Sequence, residues 1–425
     1  MSQLSTTAKF ASGLYRQRLG MVAAGYVRRD PMALLSLRPG RTNPYAIYER
    51  MRTEGTLLPT RLGNWSTTSH RVCNTVLRDR RFGVRPADAP EVGPDEIDLS
   101  FLSMNPPDHT RLRRLALPSF SPKAVATYRE RIVSRVGELL DRAAVRGEFD
   151  LVSDLAAPLP IAVITDLLGI PDANTEEFAE VGAIIGGALD GVRGLRHAAQ
   201  LQANAEKLDA IFQSLFELRR REPADDIVSQ VVAAEGDQIK SAEMLSMCVL
   251  LLVAGFETTV NLIGNGMLAL LDHPDQWEAL CADPEGLAPG AVEEALRFDP
   301  PVQRTTRLAL EPLELEGKPV RLNQIVVTLI GGANRDPERF EHPDRFDITR
   351  ANASEHLAFS SGIHYCIGQP LARLEATIAF QMIAERMPNL RRSGPVRRRN
   401  ATTIRGPLHI PMQVRSSRSP QLASA

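Results

Sequence analysis

FSSGIHYCIG, residues 359 to 368, sets one thiol, Cys366, between an imidazole at His364 and a glycine at Gly368. The next residues, 369 to 387, read QPLARLEATIAFQMIAERM. Pro370 suits a first helical position, and Leu371, Leu374, Ile378 and Met382 make one apolar face. Cys366 is therefore expected just ahead of a helix N-terminus, where free N–H groups and the helix dipole lower a thiol's pKa. Such a sulfur could be a nucleophile, with His364 or His356 as its base, an axial metal ligand, or an inert buried cysteine. The frame Phe359, Gly362, His364, Cys366 and Gly368 adds ring packing and backbone clearance that a simple nucleophile does not need. Glycines at 362 and 368 are expected to take positive φ and let a bulky partner approach.

The surroundings narrow the choice. The four cysteines, Cys73, Cys248, Cys281 and Cys366, lie far apart with no CxxC spacing. A disulfide framework or structural zinc site is not expected, and a reducing compartment fits. The net charge of −1 gives no global signal for nucleic acid. The apolar run at 244 to 256 stops at Glu257, which favours a buried core helix over a membrane span. No transmembrane segment is expected.

Helical patterns dominate from 45 to about 300, at 45–55, 109–120, 124–144 and 241–271. Strand patterns follow at 313–322, around a Gly-containing turn, and at 324–330. The expected fold is mainly α with a minor β-sheet. Residues 1–41 read as a loosely held basic arm, 42–411 as one domain and 412–425 as a disordered tail. The 241–271 helix would span about 46 Å. Its centre, AGFETT at 254 to 259, is a weak point: Gly255 costs roughly 1 kcal/mol against Ala, and Thr258 can bond back to the Ala254 carbonyl. Such a gap could hold a small ligand, water or a proton path, or Gly255 could merely permit close packing while Glu257 pairs with a core base.

The ten residues around Cys366 closely resemble the heme-binding loop of the cytochrome P-450 family of heme-thiolate monooxygenases. The resemblance extends over about 42 to 411. AGFETT looks like the family's oxygen-binding helix motif, EALR (294–297) like its E-x-x-R helix, and PDRF (343–346) like its meander. MNPPDHTRLRRL (104–115) looks like the segment that holds the heme propionates. Two positions depart from the usual pattern, with Ser360 where Gly is common and Glu257 where Asp is common. The match is to the soluble bacterial type.

The resemblance implies the cytochrome P-450 fold, with heme b between the long oxygen-binding helix and the helix following the Cys loop. It implies Cys366 as the proximal thiolate, tuned by backbone N–H groups near Ile367 and Gly368, with Phe359 packed beside it. His109, Arg113, Arg307 and His364 would bind the propionates. Glu294, Arg297 and Arg345 would form a buried structural network. Glu257 and Thr258 would relay protons to dioxygen, with Ala254 and Gly255 leaving room for it. Val253, Val302, Thr305 and Ile404, with parts of 87–100, would face the substrate, and 181–195 would form a glycine-rich lid. The implied activity inserts one atom of O2 into a hydrophobic small molecule such as a terpenoid, fatty acid or steroid. Electrons would come from NAD(P)H through ferredoxin reductase and ferredoxin, the latter docking on Arg111, Arg114 and Arg373. The alternatives are a peroxide-using heme-thiolate enzyme and a non-catalytic heme-binding protein. A cytoplasmic location is expected, with the mitochondrial matrix as the lesser alternative.

Overall fold

The structure, a computed structural model, describes residues 15, 16, 18–86, 99–170, 181, 184 and 194–414. Helices make most of it, as expected, and the strands gather in four small sheets rather than one. The central helix, Ser241–Asp272, is buried along most of its length. Around it pack Pro158–Leu168, the E-x-x-R helix Pro284–Phe298 and the loop helix Gln369–Arg386. Leu251, Phe256, Val260, Ile263 and Met267 place this helix in the main core. Burying a side chain of that size contributes about 1.5–3 kcal/mol, which explains how the helix carries a glycine, an acid and two threonines at its middle.

The largest sheet runs in the order Leu58–Pro59, Trp65–Thr67, Ile325–Thr328, Thr305–Ala309, Phe82–Gly83. The 313–322 pattern is a hairpin of Leu313–Leu315 and Lys318–Val320. Its two turn residues, Glu316 and Gly317, both have positive φ (53° and 69°), the conformation of a two-residue type I′ turn. The 124–144 pattern divides into Pro122–Ala126 and Arg129–Arg146. Thr127 lies at the break, its hydroxyl donating to the Ala124 carbonyl at 2.7 Å and competing with the backbone ladder.

Both expected domain edges move. Residues 31–42 are not loose: they form the helices Pro31–Leu35 and Arg38–Thr42. Asp30 caps the first by accepting from the Ala33 N–H at 2.8 Å, and Leu35 is buried with Tyr48, Met51 and Leu329. At the other end Pro411–Val414 is a strand, paired with both Glu148–Asp150 and Leu390–Arg392. Met412 is wholly buried there, so the tail does not begin at 412. The expected lid at 181–195 and the loop at 87–100 fall almost wholly outside the described residues.

Candidate active site

The cysteine loop is shaped by two left-handed residues, Ser360 (φ 64°) and Gly362 (φ 70°). Gly362 has no substitute: a Cβ there would sit 2.3 Å from the Leu77 carbonyl oxygen. Gly368 has φ −80°, so its expected positive φ is absent. The loop closes where the Cys366 N–H donates to the Phe359 carbonyl at 3.0 Å. The loop helix starts one residue after Gly368. The N–H groups of Gly368 and Gln369 face the sulfur and favour its ionised form. These donors and the charges of Arg113 and Arg373 are outweighed, since burial pushes the Cys366 thiol up. The helix start alone therefore does not give a thiolate. A sulfur buried this way loses its proton when a cation binds it directly. Neither candidate base is a partner of the sulfur. His356 Nε2 lies 3.4 Å from Glu293, and the His364 ring lies with its centroid 4.3 Å from that of His109, the two planes tilted by 52°.

His109, Arg113, Arg307 and His364 do come together. Burial first, then the charges of Arg307, His109 and Arg113, lower His364 to about 3. Burial with Arg113 and Arg307 lowers His109 to about 4. Burial alone takes Arg307 down to about 10, and Arg113 is lowered as well. Both ring nitrogens of His109 and Nε2 of His364 are buried without a hydrogen-bond partner. Buried polar atoms normally have partners, and basic groups crowd together only where an anion offsets their repulsion. The two propionates of a heme would supply two such carboxylates, held by these four residues, while Cys366 would bind its iron. The residues present fit that group.

On the central helix, Thr258 donates its hydroxyl to the Ala254 carbonyl at 2.9 Å, as its position predicted. Ala254 is exposed and Thr258 partly so, within an otherwise buried helix. Gly255 does not serve as open space. A Cβ there would meet Ile164 at 3.0 Å, so this glycine lets the helix Pro158–Leu168 approach. Glu257 is paired: its Oε1 lies 2.8 Å from Arg399 Nη1. Val302 and Ile404 form an isolated antiparallel bridge outside the strands. Thr305, three residues on, accepts from Arg307 Nη1 at 3.2 Å. Val253 packs in the main core.

Glu294 and Arg297 are fully buried and joined by two bonds of 2.7 and 2.8 Å. Arg297 also donates to the carbonyls of Asn334, Pro343 and Arg345. The expected third member is wrong. Arg345 turns its side chain to solvent near Asp347 and contributes only its carbonyl. Arg350 reaches Glu294 instead, at 3.3 Å, because Arg345 lies on the outer side of the bend that Arg297 ties down. The docking cluster also changes. Arg111 is bound through both terminal nitrogens to Glu243, at 2.9 and 2.7 Å. Arg373 is held by Glu293 at 2.6 Å and lies over the Phe359 ring. Only Arg114 of the three is exposed without a described ion pair. Motif matching missed Arg350 and Arg399; neither belongs to a spaced pattern, and only the fold brings them in.

The cytochrome P450 family model matches residues 287–387. Cytochrome P450 107B1 of Saccharopolyspora erythraea is 42% identical over 335 residues, covering 77% of this chain and 79% of its own length. The crystal structure of P450BioI in complex with hexadec-9Z-enoic acid ligated acyl carrier protein is 36% identical with a TM-score of 0.82, covering 88% of this chain and 99% of that one. The myxobacterial CYP267B1 in complex with myristic acid is 36% identical with a TM-score of 0.82, covering 90% and 99%.

Proposed function

This chain belongs to the cytochrome P450 family and is a monooxygenase that binds heme b through a cysteine; we propose that Cys366 is that cysteine and that hydrophobic acyl chains are the substrates to test first. The observation that carries the ligand assignment is the Cys366 sulfur near Arg113, in a loop whose His364 joins His109 and Arg307 in a basic cluster with unmatched histidine nitrogens. An inert cysteine needs no such neighbours, and a nucleophile needs a base at the sulfur. The substrate reading draws on the two acyl ligands bound by the relatives and on the apolar pair Val302 and Ile404.

The heme supplies activation of dioxygen by two electrons, one oxygen atom entering the substrate and the other leaving as water with two protons. Thr258, at the exposed stretch of the central helix, keeps its own proton on the Ala254 carbonyl, so toward a further partner its oxygen accepts. Glu257 is the adjacent carboxyl that can renew the protons. A peroxide-using enzyme or a simple heme binder has no need of this acid–alcohol pair. Electrons come, in this proposal, from NAD(P)H through ferredoxin reductase and ferredoxin. A cytoplasmic location is part of this proposal; the one described helix long and apolar enough to cross a membrane, Ser241–Asp272, is mostly buried inside the protein.

The ligand is tested by the reduced carbon monoxide complex. The wild-type protein is expected to show the red-shifted thiolate band, and Cys366→Ala to lose it. A band that survives the substitution overturns the assignment. Screening lipophiles, myristic acid first, for displacement of iron-bound water from its optical signature tests the substrate class; no shift with any acyl chain overturns it.

A further inference from the structure

Glu257, Asn261, Gly264 and Asn265 are spaced i, i+4, i+7 and i+8, so they share one face of the central helix. Against that face lies the C-terminal hairpin of Arg397–Arg398 and Pro407–His409. The two approach as closely as backbone allows. A Cβ on Gly406 would stand 1.9 Å from Asn261 Oδ1, and one on Gly264 would stand 2.6 Å from Pro407 Cγ. Asn265 donates to the Arg405 carbonyl at 3.1 Å and accepts from Arg398 Nη1 at 3.2 Å. These contacts fix the register of helix against hairpin. At the start of the same seam stands the Arg399–Glu257 ion pair, with the side chains 14% and 3% exposed.

The seam keeps unmatched polarity. Arg399 Nε and both amide atoms of Asn261 are buried without hydrogen-bond partners, each a cost of about 1–3 kcal/mol. Breaking a buried ion pair is costly, yet replacing both partners by apolar residues often is not. A contact needed only for packing would not hold these groups. The hairpin also carries Ile404, bridged to Val302, so it joins the substrate side of the site to the proton side.

We propose that Arg399 is the positioning residue of the proton relay. It holds the Glu257 carboxylate ionised and turned to the hairpin seam, and hand-over toward Thr258 requires that pair to loosen. This rests on the reading of Glu257 as the relay acid. A buried carboxylate without its partner tends to take up a proton and stay neutral, and it also loses its fixed rotamer. Electrons then leave as peroxide instead of product.

The test compares holoenzymes: wild type, Glu257→Gln, Arg399→Gln, Arg399→Lys and the Glu257→Gln/Arg399→Gln double variant. Each is supplied with a plant-type ferredoxin, its reductase, NADPH and the best lipophile from the screen. Product and peroxide per NADPH, substrate Kd from the optical shift, and the unfolding midpoint are read for all. Glu257→Gln and Arg399→Gln are each expected to lower product per NADPH, by up to about a hundredfold, the scale of a misplaced reacting group. The double variant is expected to be no worse than either single one, and Arg399→Lys to recover most of the yield. Kd and the carbon monoxide band stay unchanged, and the midpoint shifts of the singles do not add in the double. Wild-type coupling in Arg399→Gln beside impaired Glu257→Gln overturns the role of Arg399 and leaves the relay standing. Unimpaired Glu257→Gln overturns the relay and this inference with it. Additive losses in the double variant also overturn it. If Arg399→Gln gives no folded holoenzyme, Arg399→Met, which keeps the aliphatic stem, takes its place on the same criteria.

Discussion

Two arginines five residues apart differ more than their sequence context suggests. Arg350 donates to the carbonyls of Glu341 and Arg345 and pairs with the wholly buried Glu294; Arg345 offers that network only its carbonyl. Removing one partner of a buried charge network costs about 3–5 kcal/mol, whereas an exposed side chain is usually worth less than about 0.5 kcal/mol. Urea unfolding of the holoenzyme is expected to show the larger loss for Arg350→Ala and almost none for Arg345→Ala; equal losses would contradict the geometry. At this scale the sequence was informative about chemistry and poor about aim. Cys366 stood out by its place ahead of a helix, whereas His109, Arg113, Arg307 and His364 were picked out only through the resemblance; the fold brings those four together. Which arginine of a loop turns inward is decided by backbone bends that no motif spells out. Ser360 adds another case: it adopts a left-handed φ of 64° that glycine takes freely and other residues rarely do.

Among the elements, the central helix and the loop helix were legible because their apolar period is long and continuous. Their mutual contact was not. Glu375, on the loop helix, is buried to 1% exposure, and one of its oxygens lacks a partner. Burial raises it from 4.5 to about 8, a hydrogen bond with Thr259 on the central helix offsetting this in part. Below pH 4.5 the folded and unfolded chains both hold this proton. Between 4.5 and 8 the folded chain keeps it while the unfolded chain gives it up, so stability falls as pH rises, and above 8 the loss is complete. For one proton the slope is about 1.4 kcal/mol per pH unit. Glu375→Gln is expected to flatten the stability profile between pH 5 and 8 in chemical unfolding, and a slope identical to wild type would show that the carboxyl is not neutral in the fold. The short strands were legible at the turn of Glu316 and Gly317 and in the β-branched run that forms Ile325–Thr328. Pro411–Val414 gave no such signal, since its strand partner Glu148–Asp150 lies far away in the chain and strand formation follows such partners more than local preference.

For the whole molecule, the net charge of −1 conceals an uneven surface. With Arg111 tied to Glu243 and Arg373 to Glu293, the free cation on the helix under His109 is Arg114. An acidic electron donor steered by it is expected to reduce Arg114→Glu more slowly, with a smaller dependence on ionic strength, because complementary charge raises encounter rates over about one Debye length. Arg111→Glu is expected to lose stability in addition. Stopped-flow reduction across a salt series separates the two, and rates indifferent to salt and to Arg114→Glu place the donor elsewhere. The seam between the central helix and the C-terminal hairpin has a different consequence, on the scale of descent. At Gly406 and Gly264 no larger side chain fits without pushing the two elements apart, so the base of the hairpin and the helix beneath it can diverge only in concert. Its tip, from Asn400 to Ile404, has no glycine in such close contact; it is held by hydrogen bonds, such as the Gln303 N–H to the Thr403 carbonyl at 2.8 Å, and by the bridge to Val302. Lineages that acquire new substrates on this scaffold are expected to rewrite the tip first and to leave the base as they inherited it.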